Sequence, residues 1–256
     1  MVKAVFFDID GTLVSFKTHR VSARTAEALR TLREKGIRTF IATGRHYTDL
    51  SNVGALPFDG YVTLNGQYCY NDAGVIYKRG IDAEDIRATV AMIEADPFPC
   101  MFIEQQRMYV NMIDDRVRAA LRLLNLPDPP VEDVRTALGT DIYQMMPFIG
   151  PERGQRLMAG LSRCGSTRWN DYFMDVVPEG GSKRVGIDAM IAAYGIALDE
   201  TMAFGDGQND VEMLSHVAFG IAMGNAAPEV KAAAGYVTTG VDSEGVSRAL
   251  KKFGLI

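Results

Sequence analysis

The chain has 256 residues, 47% of them hydrophobic and 23% charged, with a formal net charge of -5. This is the composition of an ordinary globular protein, long enough for one large or two moderate domains, and its acidic balance argues against a nucleic acid as partner, because that binding needs a concentrated basic surface. The N-terminal apolar run is interrupted by acids at positions 8 and 10 and no segment is long enough to span a bilayer, so neither a signal peptide nor a membrane partner is expected and the cytoplasm is the expected location.

Val2 to Ile9 reads as a buried strand of Val, Phe and Ile that stops at the turn-forming Asp10-Gly11-Thr12. Ser22 to Lys35 reads as a helix with Ala28, Leu29 and Leu32 on one stripe and Gly36 as its stop. A strand over 37–42, a loop at Thr43-Gly44-Arg45, a helix over 47–53 and a strand over 61–64 ending at Asn65-Gly66 follow. This alternation predicts a mainly parallel sheet covered on both faces, with functional loops at the strands' C-terminal edge. Residues 67–78 then read as a hairpin.

The middle changes character. Helices are expected at 83–95, 115–124 and 152–161, and extended segments at 101–104, 108–111, 142–146, 167–169 and 172–177, with a rigid loop at Pro127, Pro129 and Pro130. The first pattern returns with a helix over 183–194, a strand over 202–204 ending at Gly205-Asp206-Gly207, a helix over 210–214, a strand over 219–223 and a short helix over 228–234. The expected organisation is therefore an α/β, Rossmann-like three-layer core of residues 1–80 and 180–256, interrupted by an inserted α+β domain over 81–179. Cys69, Cys100 and Cys164 are far apart and read as unpaired thiols, and His19, His46 and His216 form no ligand motif.

The chemistry gathers at the strand ends. Asp8 and Asp10 are two residues apart, a spacing that aims both side chains to one face if the strand continues. Two such carboxylates repel, and a cation or a shared proton relieves them, which makes the pair a candidate Mg²⁺ site although Asp-x-Asp alone is common. Thr43-Gly44-Arg45 reads either as a helix cap or as a phosphate loop in which Gly44 permits close backbone approach and Arg45 gives charge-assisted hydrogen bonds. Lys183 opens a predicted helix, where the macrodipole disfavours a cation unless an anion shares the site. The glycines match neither a dinucleotide fingerprint nor a P-loop, which disfavours nicotinamide and ATP.

Taken together, FFDIDGTL at the first strand, IATGR at 41–45, Lys183 in GGSKRVGI and GDGQND at 205–210 resemble the four motifs of the haloacid dehalogenase superfamily, and Ala222-Met223-Gly224-Asn225-Ala226 resembles its Cof-like phosphatase branch. The resemblance implies a C2B cap for the insertion, closing over the site and contacting the leaving group. It implies an Asp8 nucleophile that forms an aspartyl phosphate, with Asp10 as general acid and then general base. Mg²⁺ is then held by Asp8, the Asp10 carbonyl and Asp206. Thr43 and the following backbone hold a phosphoryl oxygen, Lys183 neutralises Asp8 and the phosphate, and Asn209 and Asp210 orient these groups. Gly44, Arg45 and Asn65 are further candidate substrate contacts, and the 222–226 motif is expected to shape the late core loop, with at most an indirect catalytic role. In the insertion, Arg168, Asn170 and Asp171 read either as contacts to substrate hydroxyls or as an exposed turn, while Trp169 and Tyr172 read as packing residues.

The expected substrate is a small phosphorylated metabolite, preferably a sugar phosphate. A phosphosugar mutase and a noncatalytic phosphometabolite sensor are the alternatives. A monomer is the default, with a homodimer as the alternative.

Overall fold

The computed structural model describes residues 1–53, 56, 58–124, 126–168 and 170–256. Its elements in chain order begin with β1 (Ala4–Phe7), α1 (Ala23–Glu34), β2 (Arg38–Ala42), β3 (Gly60–Thr63), β4 (Tyr68–Asn71) and β5 (Gly74–Lys78). Next come α2 (Ala83–Ala95), β6 (Cys100–Ile103), β7 (Met108–Val110), α3 (Asp115–Leu124), β8 (Gln144–Pro147), α4 (Pro151–Ala159), β9 (Cys164–Thr167) and β10 (Asp175–Pro178). The chain closes with α5 (Lys183–Tyr194), β11 (Thr201–Gly205), α6 (Val211–His216), β12 (Phe219–Ala222), α7 (Pro228–Ala233), β13 (Tyr236–Val237) and α8 (Gly245–Lys252). Two compact units result: Met1–Lys78 with Ser182–Ile256, and Arg79–Gly181.

The first unit holds a sheet in the order β13-β12-β11-β1-β2-β3-β4-β5, parallel from β13 to β3 and antiparallel at β4 and β5. Its central strand β1 is apolar on both faces because both are covered. Val5 and Phe7 join Leu29 and Leu32 of α1 and Ala249 and Leu250 of α8 in one core layer. Ala4 and Phe6 join Ile187 and Met190 of α5 and Met213 of α6 in the other. The α/β fold with a mainly parallel sheet expected from the sequence is thus the observed one. Helix α1 starts where Ser22 accepts a hydrogen bond from the Thr25 amide, and α5 stops at Gly195 in the left-handed conformation.

In the second unit, a five-stranded antiparallel sheet runs β7-β6-β8-β10-β9. Ile86, Val90 and Ile93, at helical spacing on α2, pack with Cys100 and Phe102 of β6, Tyr109 of β7, Met145 of β8 and Val176 of β10.

Several elements differ from expectation. The helix expected over 47–53 is a single 3-10 turn, Tyr47–Asp49, capped by the His46 ring, and the Asp49 carbonyl is taken by the Arg45 guanidinium. The strands expected over 167–169 and 172–177 pair instead as Cys164–Thr167 and Asp175–Pro178, because Asn170 Oδ1 accepts from the Tyr172 and Phe173 amides and bends the intervening chain. The expectation for Trp169 lies outside the described residues. Strand β13 is too short for a periodic signal, whereas α8 carried a readable one in Val246, Ala249 and Leu250.

Candidate active site

The parallel register of β1, β2, β3 and β11 delivers four loops to one sheet edge. β1 ends at Phe7, and the Asp8 amide donates to the Phe204 carbonyl of β11, so the first acid sits at the strand end rather than in the ladder. Lys183, the first residue of α5, is fully buried. Its ammonium donates to Asp8 Oδ1 at 2.7 Å and to Asp210 Oδ1 at 2.6 Å. The other Asp210 oxygen accepts from the Asp206 and Gly207 amides, so Asp210 fixes both the lysine and the loop after β11. One carboxylate oxygen from each of Asp8, Asp206 and Asp210 lies within 4.8 Å of the others.

This crowding sets the protonation chemistry. Burial pushes Asp8 up to about 7, against the pull of Lys183 and with Asp210 and Asp10 pushing the same way. Burial also pushes Asp206 up to about 8, together with Asp8 and Asp210, and the Thr12 hydroxyl opposes it. For Lys183 burial acts downward, but Asp210 and Asp8 outweigh it and hold the ammonium above its ordinary value. The lysine is therefore charged, and burial with crowding makes the ionised forms of Asp8 and Asp206 costly unless a further cation offsets them. Those two suit a hard divalent cation with oxygen ligands, whereas Asp210 already accepts the Lys183 ammonium on one oxygen and two main-chain amides on the other.

Asp10 is turned elsewhere. Its carboxylate receives a forked pair from Arg45, Nε at 2.8 Å and Nη2 at 2.6 Å, and Arg45 Nη1 is fixed on Asp49 O and Asn52 Oδ1. Thr43 is buried after β2, its amide on Val62 O and its hydroxyl accepting from the Arg45 amide. After β3, Leu64 and Asn65 both have φ 52°, an uncommon left-handed pair, and the Asn65 amide donates to Thr43 O. Asn65 Oδ1 accepts from Asn209 Nδ2 at 2.9 Å. These two amides lie against Gly44, where a Cβ would come within 3.2 Å of Asn65, so glycine lets the loops close together.

Residues 5–250 match the haloacid dehalogenase-like hydrolases. The chain belongs to that family. A solved structure of the HAD subclass IIB sugar phosphatase BT4131 is 43% identical over all of both chains, with a TM-score of 0.95. BT1666 from Bacteroides thetaiotaomicron, described among phosphatases of the superfamily, is 37% identical over 100% of this chain and 96% of that one, with a TM-score of 0.93. An HMP-PP phosphatase of Serratia proteamaculans (strain 568) is 32% identical over 246 residues, 90% of this chain and 87% of that relative. The chain is accordingly a phosphatase of the Cof-like branch.

In this haloacid dehalogenase-like phosphatase, direct contacts join Asp8, Lys183, Asp206 and Asp210 in one cluster, Asp10 with Arg45 in a second, and Gly44, Asn65 and Asn209 in a third. Asn209 meets Asn65 rather than Lys183. Thr12 was absent from the sequence candidates, yet its hydroxyl donates to Asp206 Oδ1 at 3.1 Å, and Asn225 donates to Asp206 Oδ2 at 2.9 Å. Thr12 lies within the first motif, but its partner is 194 positions away, which no local pattern reveals. In the second unit, Asn170 Oδ1 accepts from the Tyr172 and Phe173 amides, and Arg168 donates to the Phe173 and Ile149 carbonyls. Among the described residues, no helix is long and apolar enough to cross a membrane.

Proposed function

We propose that this phosphatase hydrolyses small phosphomonoesters, sugar phosphates first among them, with Mg²⁺ at Asp8 and Asp206 and through an aspartyl phosphate on Asp8. The observation that carries the reading is the buried Lys183 ammonium on Asp8, beside Asp206 and Asp210. One ammonium against three ionised carboxylates leaves two negative charges, which is what a divalent cation would balance.

The Asp8 oxygen attacks phosphorus as the bond to the leaving-group oxygen breaks, and Asp10 supplies the proton that oxygen takes up. Water then attacks the aspartyl phosphate, Asp10 takes its proton, and the bond between Asp8 oxygen and phosphorus breaks to release inorganic phosphate. For either transfer the Asp10 carboxyl must part from the Arg45 fork, whose guanidinium is then available to a phosphoryl oxygen. Lys183 holds Asp8 in place and balances the charge that gathers on the transferring group. The Thr43 hydroxyl and the Gly44, Asn65 and Asn209 wall are assigned to the phosphoryl oxygens, and Asp210 to the orientation of Lys183. Bound Mg²⁺ supplies Lewis-acid stabilisation of the phosphoryl charge. The Asp10 carbonyl is its third proposed protein ligand.

The sugar-phosphate preference is supported by the 43% identity to a sugar phosphatase, with the HMP-PP phosphatase relatives widening the class to be tested. The enzyme is placed in the cytoplasm as a monomer, acting on a phosphorylated metabolite. The test is phosphate release from hexose phosphates, pyridoxal phosphate, flavin mononucleotide and HMP-PP, with Mg²⁺ or chelator, for the wild type and Asp8→Asn. Release that needs Mg²⁺ and disappears in D8N is expected. Release that survives D8N rejects the aspartyl phosphate; sugar isomers without stoichiometric phosphate mark a mutase, and tight binding without turnover marks a sensor.

A further inference from the structure

Among the described residues, the Asp206 carboxylate is held by neutral donors, one on each oxygen: the Thr12 hydroxyl on Oδ1 and the Asn225 amide on Oδ2. The same Asn225 Nδ2 donates to the Gly11 carbonyl at 3.0 Å, and its Oδ1 accepts from the Val241 amide at 2.9 Å. That pattern admits a single orientation of the amide, since Gly11 O and Asp206 require donors and the Val241 N–H requires an acceptor. One side chain thereby ties the loops after β1, β11 and β12 to the segment at Val241.

The backbone around Asn225 leaves little slack. Gly11 has φ +82°, and a Cβ there would stand 2.1 Å from Asp206 Oδ2, so the carboxylate lies directly over the loop that follows Asp10. Gly224 is similarly tight, a Cβ meeting the Gly240 amide at 2.6 Å, and its own amide donates to Thr239 O.

We propose that Asn225 is a positioning residue for cation binding: its amide aims the Asp206 carboxylate and fixes the Gly11 loop against it, without cancelling the negative charge the cation needs. A lysine or arginine there would fix the same oxygen but would replace part of the cation's attraction. The proposal rests on the reading that Asp8 and Asp206 hold the metal. Asn225 is solvent-exposed, so water replaces part of its role when it is removed, which puts the effect near the lower end of the range of about 10- to 100-fold for groups that orient metal ligands.

The experiment measures Mn²⁺ binding to the purified full chain by electron paramagnetic resonance of the free ion, with Mg²⁺ competition, for wild type, Asn225→Ala and Asn225→Ser. Expected is a rise of about tenfold in the Mn²⁺ and Mg²⁺ dissociation constants of both variants, with kcat at saturating Mg²⁺ within about threefold of wild type and the metal midpoint of activity shifted in step. Dissociation constants within twofold of wild type in either folded variant overturn the proposal, even if the metal-free melting temperature falls, since that marks a structural role only. Two variants guard against a misfolded alanine form. Wild type that binds neither ion at millimolar concentration overturns the metal reading itself, and this inference with it.

Discussion

Asp8, just after β1, and Asp85, in the first turn of α2, are both buried carboxylates, one in each unit, yet their chemistry runs in opposite directions. Asp85 accepts from the Ser162 and Arg163 amides, and these donors hold it below the usual carboxylate range although burial acts the other way. Asp8 has the Lys183 ammonium but also Asp210, Asp10 and Asp206 nearby, and it is pushed up to about 7, burial being the largest cause. Burial acts upward on both, but at Asp85 the hydrogen-bond donors outweigh it, whereas at Asp8 Lys183 does not, because Asp210 and Asp10 act alongside burial. In the Arg79–Gly181 unit polar side chains satisfy main-chain groups, as Arg168, Asn170 and Arg116 also do. In the other unit carboxylates are forced together, an arrangement that burdens the fold and suits catalysis.

The largest effect expected from breaking this contrast is that of Asp8→Asn. It removes the nucleophile while Lys183 retains Asp210, so phosphate release should fall by at least about a thousandfold with the circular dichroism spectrum unchanged. A loss of less than tenfold would assign the chemistry to another group.

Next comes Lys183→Met, which leaves Asp8 and Asp210 buried without their shared cation. Removing one member of a buried pair costs about 3–5 kcal/mol, so denaturant unfolding at pH 8 should register a loss of that size along with lost activity. At pH 5 the orphaned Asp8 carboxyl, which burial pushes up to about 7 even beside Lys183, takes up a proton and the loss should shrink. An equal loss at both pH values would mean that lost packing, not charge, is responsible.

The same contrast explains what was legible in the sequence. Strand β1, its terminal acids and Lys183 are readable because the chemistry restricts residue type at fixed places: an apolar run ended by Asp8, a helix opened by a lysine. The Asn65–Asn209 bridge and the Thr12 and Asn225 contacts to Asp206 join residues 19 to 194 positions apart, and depend on loop conformations such as the left-handed Leu64. No periodicity encodes those. In the second unit, helix α2 is legible from its stripe, but the strand boundaries near Asp175 moved because one Asn170 side chain bends the backbone, a tertiary choice that extended-strand propensity does not register.

A smaller effect sharpens the comparison through pH. The folded values of Asp8 and Asp206, about 7 and about 8, lie above the ordinary 3.8, so in that interval the native state binds more protons than the unfolded chain. Stability of metal-free protein therefore falls as pH rises through the interval. Asp85 has the opposite sign: its contribution is present above the ordinary carboxylate value and is lost as pH falls through its lowered one. Calorimetry in chelator should give a lower melting temperature at pH 8 than at pH 6, with Mg²⁺ restoring it at pH 8 and Asp206→Asn flattening the slope. A metal-free melting temperature that rises from pH 6 to pH 8 would count against the crowded-carboxylate account.

The smallest expected effect tests whether polar residues of the second unit are scaffold or recognition. Asn170→Ala removes the acceptor of the Tyr172 and Phe173 amides. Its cost is about 1–2 kcal/mol, since the Tyr172 amide can turn to water while that of the buried Phe173 loses an acceptor. If Asn170 is scaffold alone, the urea midpoint falls while KM for every hydrolysed phosphomonoester changes by the same small factor, because a loosened turn has no preference among leaving groups. If it recognises the leaving group, KM rises for some substrates and not others, and the midpoint shift does not predict which. The two halves of the amide point to different outcomes: both bonds of Asn170 Oδ1 are made to the main chain two and three residues ahead, the geometry of a local bend, whereas its Nδ2 is buried without a partner among the described residues and is the donor a recognition role would use.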